Sequence, residues 1–135
     1  MASQLNPYLT FDGTARQAME FYQSVFGGEL KINTFGEFGN PDPAVKDLVM
    51  HANLDTPRGY RLMASDTAPG MTLNPGNNIT CSLSGDPGEG LEEVWEKLAE
   101  GGTVGVPFEK QMWGDVFGQC VDKFGIPWMV DVVSQ

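Results

Sequence analysis

Two successive segments of the chain show the same order of predicted elements, and this internal repeat is the feature that most restricts the fold. Each segment is expected to form a strand, a helix and three further strands. The first helix is expected to end at Gly27-Gly28 and the second at Gly101-Gly102, 74 positions later. A stretch of loop composition, residues 67–76, separates the segments. The sequence therefore predicts an α+β protein of two tandem βαβββ modules, at about residues 1–66 and 77–135.

Strands are recognised by alternation of apolar and polar residues, and helices by apolar stripes at helical spacing. Asp12-Gly13-Thr14 has turn and cap chemistry, so a helix cap is expected there. The helices are expected from Ala18 to the first glycine pair and over residues 86–102. The strands are expected at residues 5–11, 29–38, 46–55, 59–66, 77–84, 103–109, 114–122 and 126–133.

The offset between matching residues is not constant along the repeat. Asn6 corresponds to Asn78 with an offset of 72 residues. Met63 corresponds to Met129 with an offset of 66 residues. The smaller second offset requires a shorter loop between the second and third strands of the second module.

The single histidine of the chain lies in the alternating stretch DLVMHANLD, residues 47–55. His51 is on the same side of this predicted strand as Val49 and Asn53, opposite an apolar side that contains Met50. Alternation alone leaves open whether the His51 side faces bulk solvent or a cavity.

Composition limits the class of partner. The formal net charge is −10, so nucleic acid and anionic membranes are not expected as partners. The N-terminal stretch has no basic region or long apolar run, so no signal peptide is expected, and no stretch approaches the roughly 20 apolar residues of a membrane span. Cys81 and Cys120 are expected to be buried free thiols. Together these features favour a cytoplasmic location.

Several stretches together resemble the vicinal oxygen chelate superfamily, which includes glyoxalase I, bleomycin-resistance proteins and extradiol dioxygenases. They are NPYLTFDGTARQAMEFYQSVFGGEL, VMHANL, LMASD and WGDVFGQCVDKFGIPWMV. The chain is most similar to the PhnB-like branch, whose members are often labelled 3-demethylubiquinone 3-methyltransferase-like domains. The terminal D-x-F-G-x-x-W pattern begins at Asp122 and ends at Trp128. The resemblance covers essentially the whole chain, residues 1–135, as a single domain.

The resemblance implies that the strands of both modules curve into a half-open barrel, with the helices on the outer side and the substrate on the concave side. A homodimer is expected for the same reason. The apolar strand sides would then face the helices, and they comprise Leu5, Leu9 and Phe11, then Leu48, Met50 and Leu54, then Ile79, Cys81 and Leu83, with Trp128 as a further core residue. The polar sides would line the hollow with Asn6, Tyr8, Thr10, His51, Asn53, Asn78, Thr80 and Ser82.

Metal-dependent relatives take four ligands, His or Gln, Glu, His and Glu, from the first and last strands of the two modules. The matching positions here are Asn6, Met63, Asn78 and Met129, and a shift of two residues at the second position would give Arg61 or Ser65 instead. Amide and thioether groups suit Ni²⁺, Zn²⁺, Mn²⁺ or Fe²⁺ poorly. The metal site of the superfamily is therefore expected to be lost, and no cofactor is expected. No glycine-rich loop for a nucleotide or S-adenosylmethionine is present in the sequence.

Two kinds of function remain open. The favoured one is binding of a small molecule without chemistry, as in the antibiotic-resistance members, with candidate ligand contacts at Asn6, Tyr8, Asn53, Asn78, Trp113 and Phe117. The alternative is a metal-free or metal-dependent small-molecule enzyme of isomerase or lyase type, in which His51 acts as general acid or base and Asp66 orients it. Structural roles are also open, namely a hydrogen-bonded histidine at His51, a turn cap at Asp66 and core packing for the two aromatic residues.

Overall fold

The computed structural model describes residues 3–134. The chain divides into two compact units, Met1–Asn74 and Pro75–Gln135, and the division falls inside the predicted connector. Within the described residues, no helix has both the length and the apolarity required to cross a bilayer.

The first unit is a four-stranded sheet with one helix on one face. The sheet has the order β1-β4-β3-β2, in which β1 runs parallel to β4 and the other neighbours are antiparallel. Helix α1 packs against β2, β3 and β4. The elements are β1 (Tyr8–Phe11), α1 (Ala15–Phe26), β2 (Glu29–Thr34), a short 3-10 helix (Gly36–Phe38), β3 (Val49–Asp55) and β4 (Arg61–Asp66).

The second unit repeats this topology. Its sheet has the order β5-β8-β7-β6, with β5 parallel to β8, and helix α2 packs against β6, β7 and β8. The elements are β5 (Cys81–Gly85), α2 (Leu91–Ala99), β6 (Thr103–Lys110), β7 (Val116–Val121) and β8 (Pro127–Val132). The α+β class and the two βαβββ modules are therefore confirmed, and both sheets are open.

The strand register corrects the offset predicted for the first part of the repeat. Tyr8 lies opposite Met63 in the first sheet, and Ser82 lies opposite Met129 in the second. The first strands therefore match with an offset of 74 residues, as the helix-ending glycines do, and the predicted 72 is wrong by two. The predicted offset of 66 between Met63 and Met129 agrees with this register.

One glycine of each pair marks the same close approach in both modules. A Cβ atom on Gly28 would collide with the backbone carbonyl oxygen of Asp55, and a Cβ on Gly102 would collide with that of Val121. The chain therefore passes from each helix to the next strand at a point where two backbone segments leave no room for a side chain.

The D-x-F-G-x-x-W pattern forms a hydrogen-bonded turn between β7 and β8. One carboxylate oxygen of Asp122 accepts the backbone N–H groups of Phe124 and Ile126, at 2.8 and 3.1 Å. The other accepts the indole N–H of Trp128 at 2.8 Å. Because Asp122 and Trp128 are both buried, the pattern has a structural role. The expected placement of Trp128 in the core is confirmed.

A bulge in β3 changes the predicted sides of this strand. Thr34 lies opposite Val49, whereas the preceding Asn33 lies opposite His51, so Met50 is an extra residue in the ladder. Val49 is buried and Met50 is half-buried, which reverses the prediction for both residues. His51 is on the side opposite buried Ala52, as predicted.

The ends of several predicted elements were wrong. Leu5 and Ile79, both expected to face a helix, are 100% and 79% exposed because they precede the strands that begin at Tyr8 and Cys81. Leu9, Phe11 and Leu83 are buried as predicted.

Candidate functional site

A tyrosine and the histidine meet on the face of the first sheet that is opposite α1. The hydroxyl of Tyr8 and Nδ1 of His51 are hydrogen-bonded at 3.1 Å, and the ring centroids are 5.7 Å apart. The two residues belong to β1 and β3, which are separated by β4, so the contact bridges the sheet. Tyr8 is 49% exposed and His51 is half-buried. The face that carries them is therefore reachable from solvent.

Asn53 lies beside this pair in a cross-strand row. The register places Tyr8 opposite Met63, Met63 opposite Asn53, and Asn53 opposite Lys31. The amide nitrogen of Asn53 donates to a carboxylate oxygen of Asp55 at 2.9 Å. Its amide oxygen is buried and has no hydrogen-bond partner among residues 3–134. An unsatisfied buried acceptor is costly, and it marks a place where a donor from outside the chain would be stabilising.

The far end of the same face is held by an ion pair. Nε of Arg61 lies 2.6 Å from a carboxylate oxygen of Asp55. The hydrogen bond from Arg61 lowers the pKa of Asp55, and the hydrogen bond from Asn53 acts in the same direction. Asp55 is therefore charged at neutral pH, and it accepts a hydrogen bond from the Asn53 amide.

The chemistry available to His51 depends on the direction of its hydrogen bond. If Tyr8 donates to Nδ1, the ring carries its proton on Nε2 and can donate that proton. If Nδ1–H donates to the phenol oxygen, Nε2 is an acceptor and can receive a proton. Either arrangement lets Tyr8 hold the ring, which is the positioning role that the sequence had assigned to Asp66.

Asp66 is not placed to orient His51, and that prediction is corrected by the structure. Its carboxylate accepts the backbone N–H of Ala15 at 2.9 Å and that of Val49 at 2.8 Å. The side chain is 4% exposed, and Phe11, its partner in β1, is also buried. Asp66 therefore caps α1 from β4, whereas Thr14, at the N-cap position, makes no side-chain cap hydrogen bond.

A cleft of about 240 Å³ lies beside this cap and does not include the Tyr8–His51 pair. Its lining residues are Gly13, Arg16, Gln17, Ala44, Asp47, Leu48, Val49 and Asp66.

The two asparagines predicted as ligand contacts lie outside the strands. Asn6 is half-buried and precedes β1, where the carbonyl of the next residue, Pro7, accepts the N–H of Met63 at 3.2 Å. Asn78 is exposed in the segment before β5. Tyr8 and Ser82 therefore occupy the strand positions that had been assigned to these asparagines.

In the second unit, two aspartates adjoin the predicted aromatic pair. The rings of Trp113 and Phe117 meet edge to face with centroids 5.8 Å apart. Asp115 accepts the backbone N–H of Ser134 at 2.8 Å, and its carboxyl group also interacts with the Asp131 carboxyl group and the Trp113 side chain. The Ser134 N–H lowers the pKa of Asp115, whereas burial raises the pKa of Asp131 and the contact with Asp115 adds to that rise.

This acidic neighbourhood was missed at the sequence level, although a signal was present. Asp115 and Phe117 are two residues apart, which is the spacing of side chains on one side of a strand. Asp131 is likewise two residues after Met129, on the polar side of β8.

The two cysteines differ in burial. Both are free thiols, but Cys81 is only half-buried, which corrects the prediction for that residue. Burial raises the pKa of the Cys120 thiol to about 11, and the charge of Asp122 contributes. Burial also raises the pKa of Cys81. Neither thiol is prepared for nucleophilic chemistry at neutral pH.

The residues at the superfamily's metal positions do not fit the metals that its members bind. The strand partners are Tyr8 and Met63 in one module and Ser82 and Met129 in the other, and neither pair contains a carboxylate or an imidazole. Among residues 3–134, no group of three or more His, Cys, Asp or Glu side chains could hold a metal ion.

Comparison with known proteins gives the family. The sequence profile of the 3-demethylubiquinone-9 3-methyltransferase family matches residues 3–131. The chain belongs to this family. It is 31% identical over 147 aligned positions to protein YjdN of Escherichia coli, with 97% of this chain and 96% of YjdN covered. The expected resemblance to the branch so labelled is confirmed.

Solved structures show the same fold. Protein PA1353 from Pseudomonas aeruginosa superposes with a TM-score of 0.88 at 35% identity, covering 99% of this chain and all of that chain. A glyoxylase/bleomycin resistance protein/dioxygenase domain from Frankia superposes with a TM-score of 0.67 at 16% identity, covering 100% of this chain and 94% of that one. This family member therefore has the two-module fold of the glyoxalase superfamily.

Proposed function

We propose that the protein binds a polar small molecule on the face of the first sheet that carries Tyr8, His51 and Asn53. The observation that carries the proposal is the hydrogen-bonded Tyr8–His51 pair, which lies on the same face as Asn53 and its buried, unsatisfied amide oxygen. A ligand O–H or N–H group could satisfy that oxygen after a small rotation of the Asn53 side chain. The phenol and imidazole supply both donor and acceptor atoms nearby.

The arrangement favours a polar ligand over an apolar one. Exposed or half-buried polar groups surround the pair, and Met63 is the apolar residue of the cross-strand row. Because Asp55 is paired with Arg61, the ion pair adds charge of both signs at one end of the face. Ligand specificity would therefore come from hydrogen bonds, which discriminate more strongly than apolar contacts.

The test is a ligand-detected NMR screen of polar fragments against the wild-type protein and matched variants. Fragments that bind should lose affinity in Tyr8→Phe and in His51→Ala. They should retain it in Tyr60→Phe, which removes the hydroxyl of a tyrosine packed against Phe26. Binding that survives both site variants unchanged would place the ligand elsewhere and would contradict the proposal.

A second candidate is a metal-free enzyme in which His51 transfers a proton. The contact from Tyr8 favours it, because a catalytic imidazole needs a fixed orientation. A His51→Gln variant that binds a fragment normally but abolishes its conversion would support catalysis. A rise in melting temperature that saturates at a stoichiometric amount of Ni²⁺, Zn²⁺ or Mn²⁺ would instead support the metal-dependent alternative. Methyl transfer is not proposed, because the sequence contains no recognisable loop for S-adenosylmethionine.

A homodimer and a cytoplasmic location are further parts of the proposal. The sheets of both units are open, and exposed strand edges are usually covered in native proteins. Light scattering across a concentration series would test the dimer, and a monomer throughout would contradict it. Fractionation of the native host would test the location.

A further inference from the structure

We propose that the second sheet binds an organic cation, such as a quaternary ammonium or protonated amine, on a patch formed by Trp113, Phe117, Glu109, Asp115 and Asp131. We call these five residues the aromatic–acidic patch. The inference goes beyond the function proposed above because it uses residues of the second unit alone.

The strand register assembles most of the patch. Phe117 of β7 lies opposite Glu109 of β6 on one side and opposite Asp131 of β8 on the other. Residues directly opposite one another in a sheet project from the same face with their Cβ atoms about 5 Å apart. The ring of Phe117 is therefore flanked by a carboxyl group on each side.

The loop before β7 completes the patch. Trp113 contacts Phe117 edge to face and is 58% exposed, so part of its ring is available to a ligand. Asp115 is fixed by the backbone N–H of Ser134 at 2.8 Å, and its carboxyl group interacts with the Trp113 side chain. Two aromatic rings and three carboxyl groups thus share one accessible region.

The chemistry of these groups selects a cation. Aromatic faces attract ammonium groups through their quadrupole, and carboxylates attract them by charge. The cross-strand row runs Ser84, Asp131, Phe117 and Glu109, and none of these four residues is basic. Lys110 is adjacent to Glu109 in β6 and therefore projects from the opposite face. An uncharged aromatic ligand would contact the rings but would gain nothing from the charge of the carboxyl groups.

The test uses benzyltrimethylammonium as the probe and benzyl alcohol as its uncharged comparison. Proton–nitrogen NMR would follow the indole N–H of Trp113 and the amides of β7 and β8. Trp95 and Trp128 are buried, so Trp113 is the tryptophan expected to respond. We expect saturable shifts with the cation, weak or no shifts with the alcohol, and weaker cation binding as salt is raised.

Matched variants separate the patch from the overall charge of the protein. Trp113→Leu and Asp131→Asn should each weaken cation binding at least threefold. Glu92→Gln, which removes an exposed acid from α2, should leave it unchanged. The proposal is overturned if the cation gives no saturable shift, if benzyl alcohol binds equally well, or if Glu92→Gln weakens binding as much as Asp131→Asn. The NMR spectra also report whether each variant is folded.

Discussion

Asp66 and Val49 are joined by a hydrogen bond of 2.8 Å from the Val49 backbone N–H to the Asp66 carboxylate. The same carboxylate caps α1 through Ala15. One buried side chain therefore fixes both the start of the helix and the bulged beginning of β3.

Replacing Asp66 with alanine should destabilise the protein by about 2–5 kcal/mol, because two buried backbone N–H groups would lose their acceptor. Urea unfolding monitored by circular dichroism would measure the change. Asp47→Ala removes an exposed carboxylate nearby and should change the free energy of unfolding by less than about 0.5 kcal/mol. Equal effects of the two variants would contradict the capping role.

Gly28 and Gly59 form a matched pair for testing the close approach of helix and sheet. Both have positive φ, at 106° and 88°, but only Gly28 has backbone atoms where a Cβ would lie. Gly59→Ala should therefore cost only the conformational term of roughly 1–2 kcal/mol. Gly28→Ala should cost about 1–3 kcal/mol more from the clash. Thermal unfolding of both variants would measure the difference, and similar stabilities would show that the backbones separate easily.

Asp122 and Trp128 should be energetically coupled. A double-mutant cycle with Asp122→Ala and Trp128→Phe isolates the hydrogen bond between the carboxylate and the indole. We expect a coupling energy of about 1–3 kcal/mol, since the acceptor is charged and both groups are buried. Additive effects in chemical denaturation would mean that each residue acts through its other contacts.

The thiol of Cys120 should react very slowly in the folded protein. Its pKa of about 11, against an ordinary value of 9.0, keeps it protonated at pH 8. Ellman's reagent should therefore modify Cys81 first, and Cys81→Ser and Cys120→Ser variants would assign the two phases. Because the folded-state pKa is raised, the contribution of Cys120 to stability is full below about pH 9 and is lost as the pH rises towards 11. Reaction of Cys120 at the rate of an unfolded thiol would contradict its burial.

Removal of the Tyr8 hydroxyl should change the tautomer ratio of His51. The chain has a single histidine, so the nitrogen-15 signals of its ring need no further assignment. Tyr8→Phe should shift both ring nitrogens, and Tyr60→Phe should shift neither. Unchanged ring signals in Tyr8→Phe would show that the hydrogen bond is not formed in solution.

The sequence predicted the faces of the strands better than their ends. The predicted repeat is two residues out of register at the first strands, yet a slip of two keeps every side chain on its side of the sheet. The predicted face of Tyr8 is therefore correct, although the repeat assigns the strand position of Tyr8 to Asn6. Leu5 and Ile79 were misplaced because the alternating pattern continues beyond the residues that pair.

Two errors at the site have different origins. The bulge at Met50 is set by pairing with β2, and the sequence of β3 alone carries no signal for it. A capping role for Asp66 was left open by the sequence, and the alternation of Leu62, Ala64 and Asp66 on one side of β4 favours it over the orienting role, because the first two are apolar. The hydrogen bond between Tyr8 and His51 joins residues 43 positions apart and needed the strand order to be known.

The parallel pairing of the first and last strands in each sheet has a consequence for synthesis on the ribosome. Strand β1 has no partner until β4 has been synthesised, whereas β2 and β3 can associate before that. Every strand pair of the first unit is nevertheless available once residue 66 has been made. The nascent first unit can thus complete its sheet without pairing with a strand of the second unit, which is still being translated.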